Sequence, residues 1–287
     1  MAEQLTSVRS TDLNVMADIA AKVSRVGRAK APRVASHGVR QLKSVALTSS
    51  NAVADIRAEL GRVGGVRISG VKSRGSFAEF CAQLGTAYVH RDSDPDGLTR
   101  IAATLSAPSP GMHGFSDAEL AFHTDRSGID EPPVVLATYC DQPAREGGVS
   151  RLADGKLIFK ALARSSPELL QALLAPASAV FGGSESMVAS SVFARSASGK
   201  MTLRFRVDGL GYFPLPVASA IAECFRIANR IAESYLLRSG EGYVVDNRRW
   251  LHSRTAFSGE RVIYRGLLSQ LHDTGDGIHV IVGGFSA

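Results

Sequence analysis

The chain has 287 residues, 45% hydrophobic and 21% charged, which excludes an intrinsically disordered protein and allows a substantial core. The formal charge of +6 points at first to nucleic acid, but Lys22, Arg25, Arg28, Lys30, Arg33, Arg40 and Lys43 fall in the stretch 19–54, which has no Asp or Glu, and the remainder is close to neutral. The basic character is therefore local, and no nucleic-acid partner is expected. Cys81, Cys140 and Cys224 form neither a CxxC pair nor a zinc-like cluster, no apolar run approaches the roughly 18 residues of a membrane span, and no signal core opens the chain. A cytoplasmic protein without membrane contact is the expectation.

Taken in order, residues 1–50 read as a basic, partly helical N-terminal extension, with an amphipathic helix over 11–28 from Leu13, Met16, Ile19 and Val23. Residues 51–287 read as the catalytic domain. It should open with a helix over 51–61, a short strand over 66–68 and a helix over 76–84. The stretch 91–119, rich in Asp, Pro, Ser and Gly, is predicted to be one long loop. An apolar strand over 133–140, helices over 155–164 and 167–174, a strand over 201–207, a long helix over 218–237 and strands over 243–246 and 262–270 complete the reading. There is no internal repeat.

His123 and Asp125 stand two apart in Phe122-His123-Thr124-Asp125, so in extended chain both side chains point to one side and can grip one ion. His252, after the polar turn Asp246-Asn247-Arg248-Arg249, is the best third ligand. Two histidines and one carboxylate cover one face of a six-coordinate ion and leave positions open, which suits iron(II) better than four-coordinate zinc. By itself an HxD pair is more often structural, and the distal histidine and arginines give it weight. Arg261 and Arg265 lie four apart on a predicted strand and share its face. As planar forks they suit carboxylates, which a lysine does not match in geometry.

In combination these elements resemble the iron(II)/2-oxoglutarate oxygenases of the taurine dioxygenase and clavaminate synthase-like family. The resemblance spans roughly residues 51–270. It is carried by His123-Thr124-Asp125, Pro132-Pro133 with Gly147-Gly148-Val149-Ser150, Asp246-Asn247-Arg248 leading to His252, and Arg261-x-x-x-Arg265. It implies a mainly β protein with flanking helices around a double-stranded β-helix, a cupin-like jelly-roll. It further implies that His123, Asp125 and His252 hold Fe(II), that Arg261 pairs with the distal carboxylate of the co-substrate 2-oxoglutarate with help from Ser150, and that Arg265 faces the substrate.

The activity so implied is O2-dependent hydroxylation or desaturation of an unactivated C–H bond in a small polar metabolite, an amino acid or other carboxylate, with release of succinate and CO2. Asp125 argues against halogenation, because related halogenases carry a small residue there. His113 and Arg206 are candidate substrate contacts, each with a simpler reading as a loop brace or an ordinary ion pair. Asp246 and Asn247 are read as shaping their own turn, and His90, His272 and His279 as structural or surface residues. Two alternatives stay open: a non-catalytic binding or regulatory module on the same fold acting through the basic arm, and a zinc or manganese protein using the same ligands. A homo-oligomer is also left open.

Overall fold

The computed structural model describes residues 41–182, 186–273 and 282–287. The helix expected over 11–28 and His279 lie outside these residues. The principal sheet contains β1 (Ser44–Ala46), β2 (Gly65–Ser69), β3 (Gly85–Ala87), β4 (Leu98–Ala102), β6 (Val135–Gln142), β9 (Gly242–Asp246) and β11 (Val262–Leu271). Its order is β1-β2-β9-β6-β11-β3, with β4 also paired to β11. Only the β1–β2 ladder in it is parallel. Residues 44–46, from the end of the basic stretch, thus join this sheet. The second sheet has β5 (Leu120–His123), β7 (Ser150–Asp154), β8 (Glu233–Tyr235) and β10 (Trp250–Arg254), in the order β8-β7-β10-β5.

Alternation along the strands explains why two layers close on each other. Val135, Ala137 and Tyr139 of β6, Val244 of β9 and Leu268 of β11 turn outward, beneath α1 (Ala52–Val63) and α2 (Arg74–Leu84) with Ile56, Leu60, Phe77 and Leu84. Leu136 and Cys140, Tyr243 and Val245, and Ile263 and Leu267 turn the other way, where they meet Leu152 and Trp250 of the second sheet. Behind the second sheet, Phe122, Ala153 and Leu251 pack against α3 (Gly155–Ser165), α4 (Pro167–Leu174) and α5 (Leu215–Ile231). The result is the expected mainly β jelly-roll core with flanking helices.

The elements begin where local chemistry allows. Ser73 and Ser76 form a reciprocal capping box at the start of α2. Asp154 caps α3 by accepting from Lys156 N at 2.9 Å, and Pro167 occupies the first turn of α4.

Three expectations are corrected. The loop predicted for 91–119 contains β4, because Leu98–Ala102 gains its hydrogen bonds from the distant β11 rather than from any local pattern. The helix predicted over 218–237 ends at Ile231, and Glu233–Tyr235 instead forms an edge strand on β7. The strand over 201–207 shortens to Met201–Leu203, paired with Phe193–Arg195. The three cysteines are buried and free. Among the described residues no helix is long and apolar enough to cross a membrane.

Candidate active site

The register of the second sheet sets His252 directly opposite His123, with ring centroids 4.1 Å apart. Asp125 follows β5, and its Oδ1 lies 3.5 Å from His123 Nε2 and 3.7 Å from His252 Nε2. One ligand atom from each residue lies within 4.8 Å of the other two, and all three residues are buried. His123 Nδ1 is 2.9 Å from the Ala121 carbonyl, which can only accept, so Nδ1–H donates there and Nε2 is the nitrogen turned toward Asp125. Two imidazole nitrogens and a carboxylate oxygen on one side of a point fit iron(II).

Asp125 divides its two oxygens. Oδ1 faces the histidines, while Oδ2 accepts from Arg265 Nη1 at 3.0 Å. Burial pushes the Asp125 carboxyl up, but the Arg265 guanidinium together with His123 and His252 outweighs it and holds the group well below the ordinary carboxylate range. Burial, with help from His123, lowers His252 to about 3. A deprotonated carboxylate and a neutral imidazole are the states in which these residues bind a cation.

The turn ahead of β10 reaches further than its sequence suggests. Asn247 Oδ1 accepts from Asp125 N at 2.7 Å, and its Nδ2 donates to Asp125 O at 3.0 Å and Pro133 O at 2.9 Å. Asp246 Oδ1 accepts from Arg248 N, whereas its Oδ2 accepts from Gly283 N and Gly284 N. Arg248 binds Pro132 O and Glu131, Arg249 forms a buried bidentate pair with Asp154, and Trp250 Nε1 donates to Val63 O. Arg204 adds donors to Ser127 O and Ile129 O. The segments that carry Asp125 and His252 are therefore clamped from several sides.

A cavity of about 750 Å³ between the two sheets contains His123, Asp125 and His252, together with Ser150, Arg206, Arg261 and Arg265, in its wall. Arg261 is 8% exposed and Ser150 3%. No carboxylate among the described residues pairs with Arg261, and burial lowers its pKa. Gly148, at φ +66°, makes room for it: a Cβ there would stand 3.1 Å from Arg261 Cδ and Nε. Arg206 spends its fork on Asp208, at 2.5 and 2.6 Å. His113 opens a single 3-10 turn, His113–Phe115; Gly111, Met112, Gly114 and Phe115 line the cavity and His113 does not.

Two wall residues, His90 and Arg254, escaped the sequence pattern. His90, read as structural or surface, lines the cavity. It is held by Asp92 N and Thr99 Oγ1 and lowered to about 4 by burial and by the Arg265 and Arg126 cations. Arg126, next to Asp125, has φ 56° and also lines the cavity. Arg254 is buried on the same wall, and burial and Arg261 lower it to about 10. The one available signal was its spacing of two from His252, which puts both on one strand face. Two segments far apart in the chain also meet here: Ser109–Met112, from the stretch predicted to be a long loop, and Gly182, Ser186 and Met187.

Residues 28–267 match the family model described as "Taurine catabolism dioxygenase TauD, TfdA family". Among solved structures, the fold is similar to a taurine dioxygenase from Burkholderia xenovorans, with 18% identity and a TM-score of 0.59 over 83% of this chain and 86% of that one. Asparagine oxygenase in complex with Fe(II), 2S,3S-3-hydroxyasparagine and succinate aligns over 91% of this chain and 92% of its own, at 16% identity and a TM-score of 0.55. Non-heme iron oxygenase OrfP in complex with Fe and alpha-ketoglutaric acid aligns over 80% and 95%, at 14% identity and a TM-score of 0.58. At these identities the structural likeness is one of fold.

Proposed function

Because the chain belongs to the TauD/TfdA family of iron(II)/2-oxoglutarate-dependent dioxygenases, we propose that it hydroxylates or desaturates an unactivated C–H bond of a small polar metabolite, an amino acid or other carboxylate. Succinate and carbon dioxide are the co-products. The observation that carries this reading is a buried arginine, Arg261, with no carboxylate partner among the described residues, on the same cavity wall as a two-histidine, one-carboxylate face. A buried cation left uncompensated is costly, and a carboxylate ligand removes that cost.

In this reading His123, Asp125 and His252 hold the metal. The chemistry supplied by bound iron(II) is activation of dioxygen, coupled to oxidative decarboxylation of 2-oxoglutarate. Arg261 pairs with the distal carboxylate of 2-oxoglutarate, and the Ser150 hydroxyl donates to it. Arg265 has two duties: it keeps Asp125 ionised and oriented through Oδ2, and it presents positive charge to the anionic group of the substrate. A cavity of about 750 Å³ is within the usual range for small-ligand sites, roughly 300–1,000 Å³, and has room for co-substrate and a small metabolite together. Apolar walls from Leu136, Tyr243 and Ile263 exclude water around the reacting carbon.

The test is an anaerobic titration of metal-free protein with iron(II) and then 2-oxoglutarate, following the weak visible charge-transfer band that chelation produces. The band should be lost in Asp125→Ala. In Arg261→Ala it should require about 10- to 100-fold more 2-oxoglutarate, the usual worth of a charge-assisted pair. A folded wild-type protein that gives no band refutes the reading. An Arg261→Ala effect confined to the second substrate exchanges the roles of the two arginines.

A further inference from the structure

Arg254 stands two residues beyond His252 on β10, directly opposite Ser150 on β7. Although buried, its guanidinium donates, among the described residues, to carbonyl oxygens: Ser116 O at 2.9 Å and, more weakly, Asp117 O and Thr255 O, both at 3.4 Å. No carboxylate among the described residues pairs with it. Its central carbon lies 4.6 Å from the centroid of the Phe257 ring, and that of Arg261 lies 5.6 Å from the same centroid. One aromatic ring thus serves two buried cations, which attract the ring and repel each other.

Ser116 and Asp117 belong to the connection between β4 and β5. Thr104 N and Leu105 N both donate to Phe115 O at its base, and Asp117 O accepts from Phe257 N at 3.0 Å. The tip, Ser109–Met112, is cavity wall. The connection is therefore a flap over the site, and Arg254 is the side chain that fastens its second half to the metal-bearing strand.

We propose that Arg254 is a positioning residue that couples closure of this flap to occupancy of the 2-oxoglutarate site, an inference that rests on the assignment of Arg261 to the co-substrate carboxylate. With Arg261 uncompensated, Arg254 holds the Ser116 and Asp117 carbonyls against a neighbouring like charge. A co-substrate carboxylate on Arg261 neutralises that charge, and Arg254 then binds the flap more firmly. The flap is thereby held more firmly as a wall of the substrate cavity once the co-substrate is in place.

The experiment is hydrogen–deuterium exchange of peptides covering 104–118 in the manganese(II)-loaded full chain under nitrogen, with and without 2-oxoglutarate. In the wild type, 2-oxoglutarate should slow flap exchange about ten-fold, the effect of strengthening a hydrogen bond to a charged group. In Arg254→Gln the flap should exchange quickly in both states, while 2-oxoglutarate still binds. A purely structural role would raise exchange equally and leave the ten-fold response in place, and that result overturns the proposal, as does a wild-type flap that ignores 2-oxoglutarate. If Arg254→Gln shows no cooperative unfolding, Arg254→Lys carries the test: it keeps the charge but loses the fork, and the response should shrink at least about three-fold. Its full retention overturns the coupling. Arg261→Ala separates the two readings: normal 2-oxoglutarate binding there removes both, whereas weakened binding with an unresponsive wild-type flap removes the coupling alone.

Discussion

Replacing Asn247 with alanine removes three hydrogen bonds from the segment that presents Asp125, two to Asp125's own peptide groups and one to Pro133 O. All are buried, so the cost includes an N–H and two carbonyls left without their partner. At about 1 kcal/mol per bond the loss is about 3 kcal/mol, and more where water does not replace the amide. Because Asp125 N and O are both released, the carboxylate is no longer held at a fixed distance from His123 and His252, and metal affinity should fall about 10- to 100-fold. Urea unfolding followed by fluorescence of the single tryptophan, Trp250, gives the first quantity, and iron(II) titration under nitrogen gives the second. Asn247→Asp keeps the acceptor for Asp125 N but turns a carboxylate toward two carbonyls, and should be no more stable than the alanine variant at neutral pH. If Asn247→Ala stays within about 0.5 kcal/mol of wild type and binds iron(II) equally well, the amide does not set the ligand geometry.

Asp125→Ala should retain a cooperative unfolding transition yet lose bound iron and 2-oxoglutarate-dependent succinate release; an active, iron-loaded variant would remove Asp125 from the ligand set. Gly148→Ala combines left-handed backbone with a Cβ against Arg261, and should cost about 1–2 kcal/mol and weaken 2-oxoglutarate several-fold. Gly199→Ala, at φ +78° with nothing within 4 Å, carries the backbone strain alone and should leave 2-oxoglutarate affinity unchanged. His90 has its folded pKa lowered to about 4, so below about 6.5 the unfolded chain takes up a proton that the native state refuses. Its contribution is complete above pH 6.5 and is lost as pH falls through 4. His90→Gln should flatten that part of the urea-midpoint profile of metal-free protein, and an unchanged slope would show that His90 does not titrate in this way.

How much the sequence disclosed depends on the range over which each signal acts. The spacing of His123 and Asp125, and of Arg261 and Arg265, reads as a statement about strand faces; the cavity contains all four, although Asp125 lies just after β5 and Arg261 just before β11. Helix Pro167–Leu174 carries its own start signal and has the boundaries read from it. Leu98–Ala102 has no comparable local mark, since its ladder is supplied by residues 262–266. Glu233–Tyr235 continues an apolar helical pattern, and only pairing with residues 150–152 draws it into a sheet. Asn247 was read as a local turn former, but the amide it binds is 122 residues away. His90 faces Arg126 and Arg265, neighbours that no spacing around position 90 announces.

The segment from Asp246 to Arg254 has a consequence for inheritance. Six of its nine side chains hold distant parts of the chain: Asp246 reaches 283–284, Asn247 reaches 125 and 133, Arg248 reaches 131–132, Arg249 reaches 154, Trp250 reaches 63, and Arg254 reaches 116–117. A recombination event with its junction inside these residues brings together halves selected against different surroundings, and non-additive losses are the expected outcome. The same nine residues moved as one block, together with the groups they address, form the smallest unit that can be exchanged between relatives without disturbing His252. Chimaeras that keep the block and its partner segments from one parent should fold, and those with junctions within the block should not.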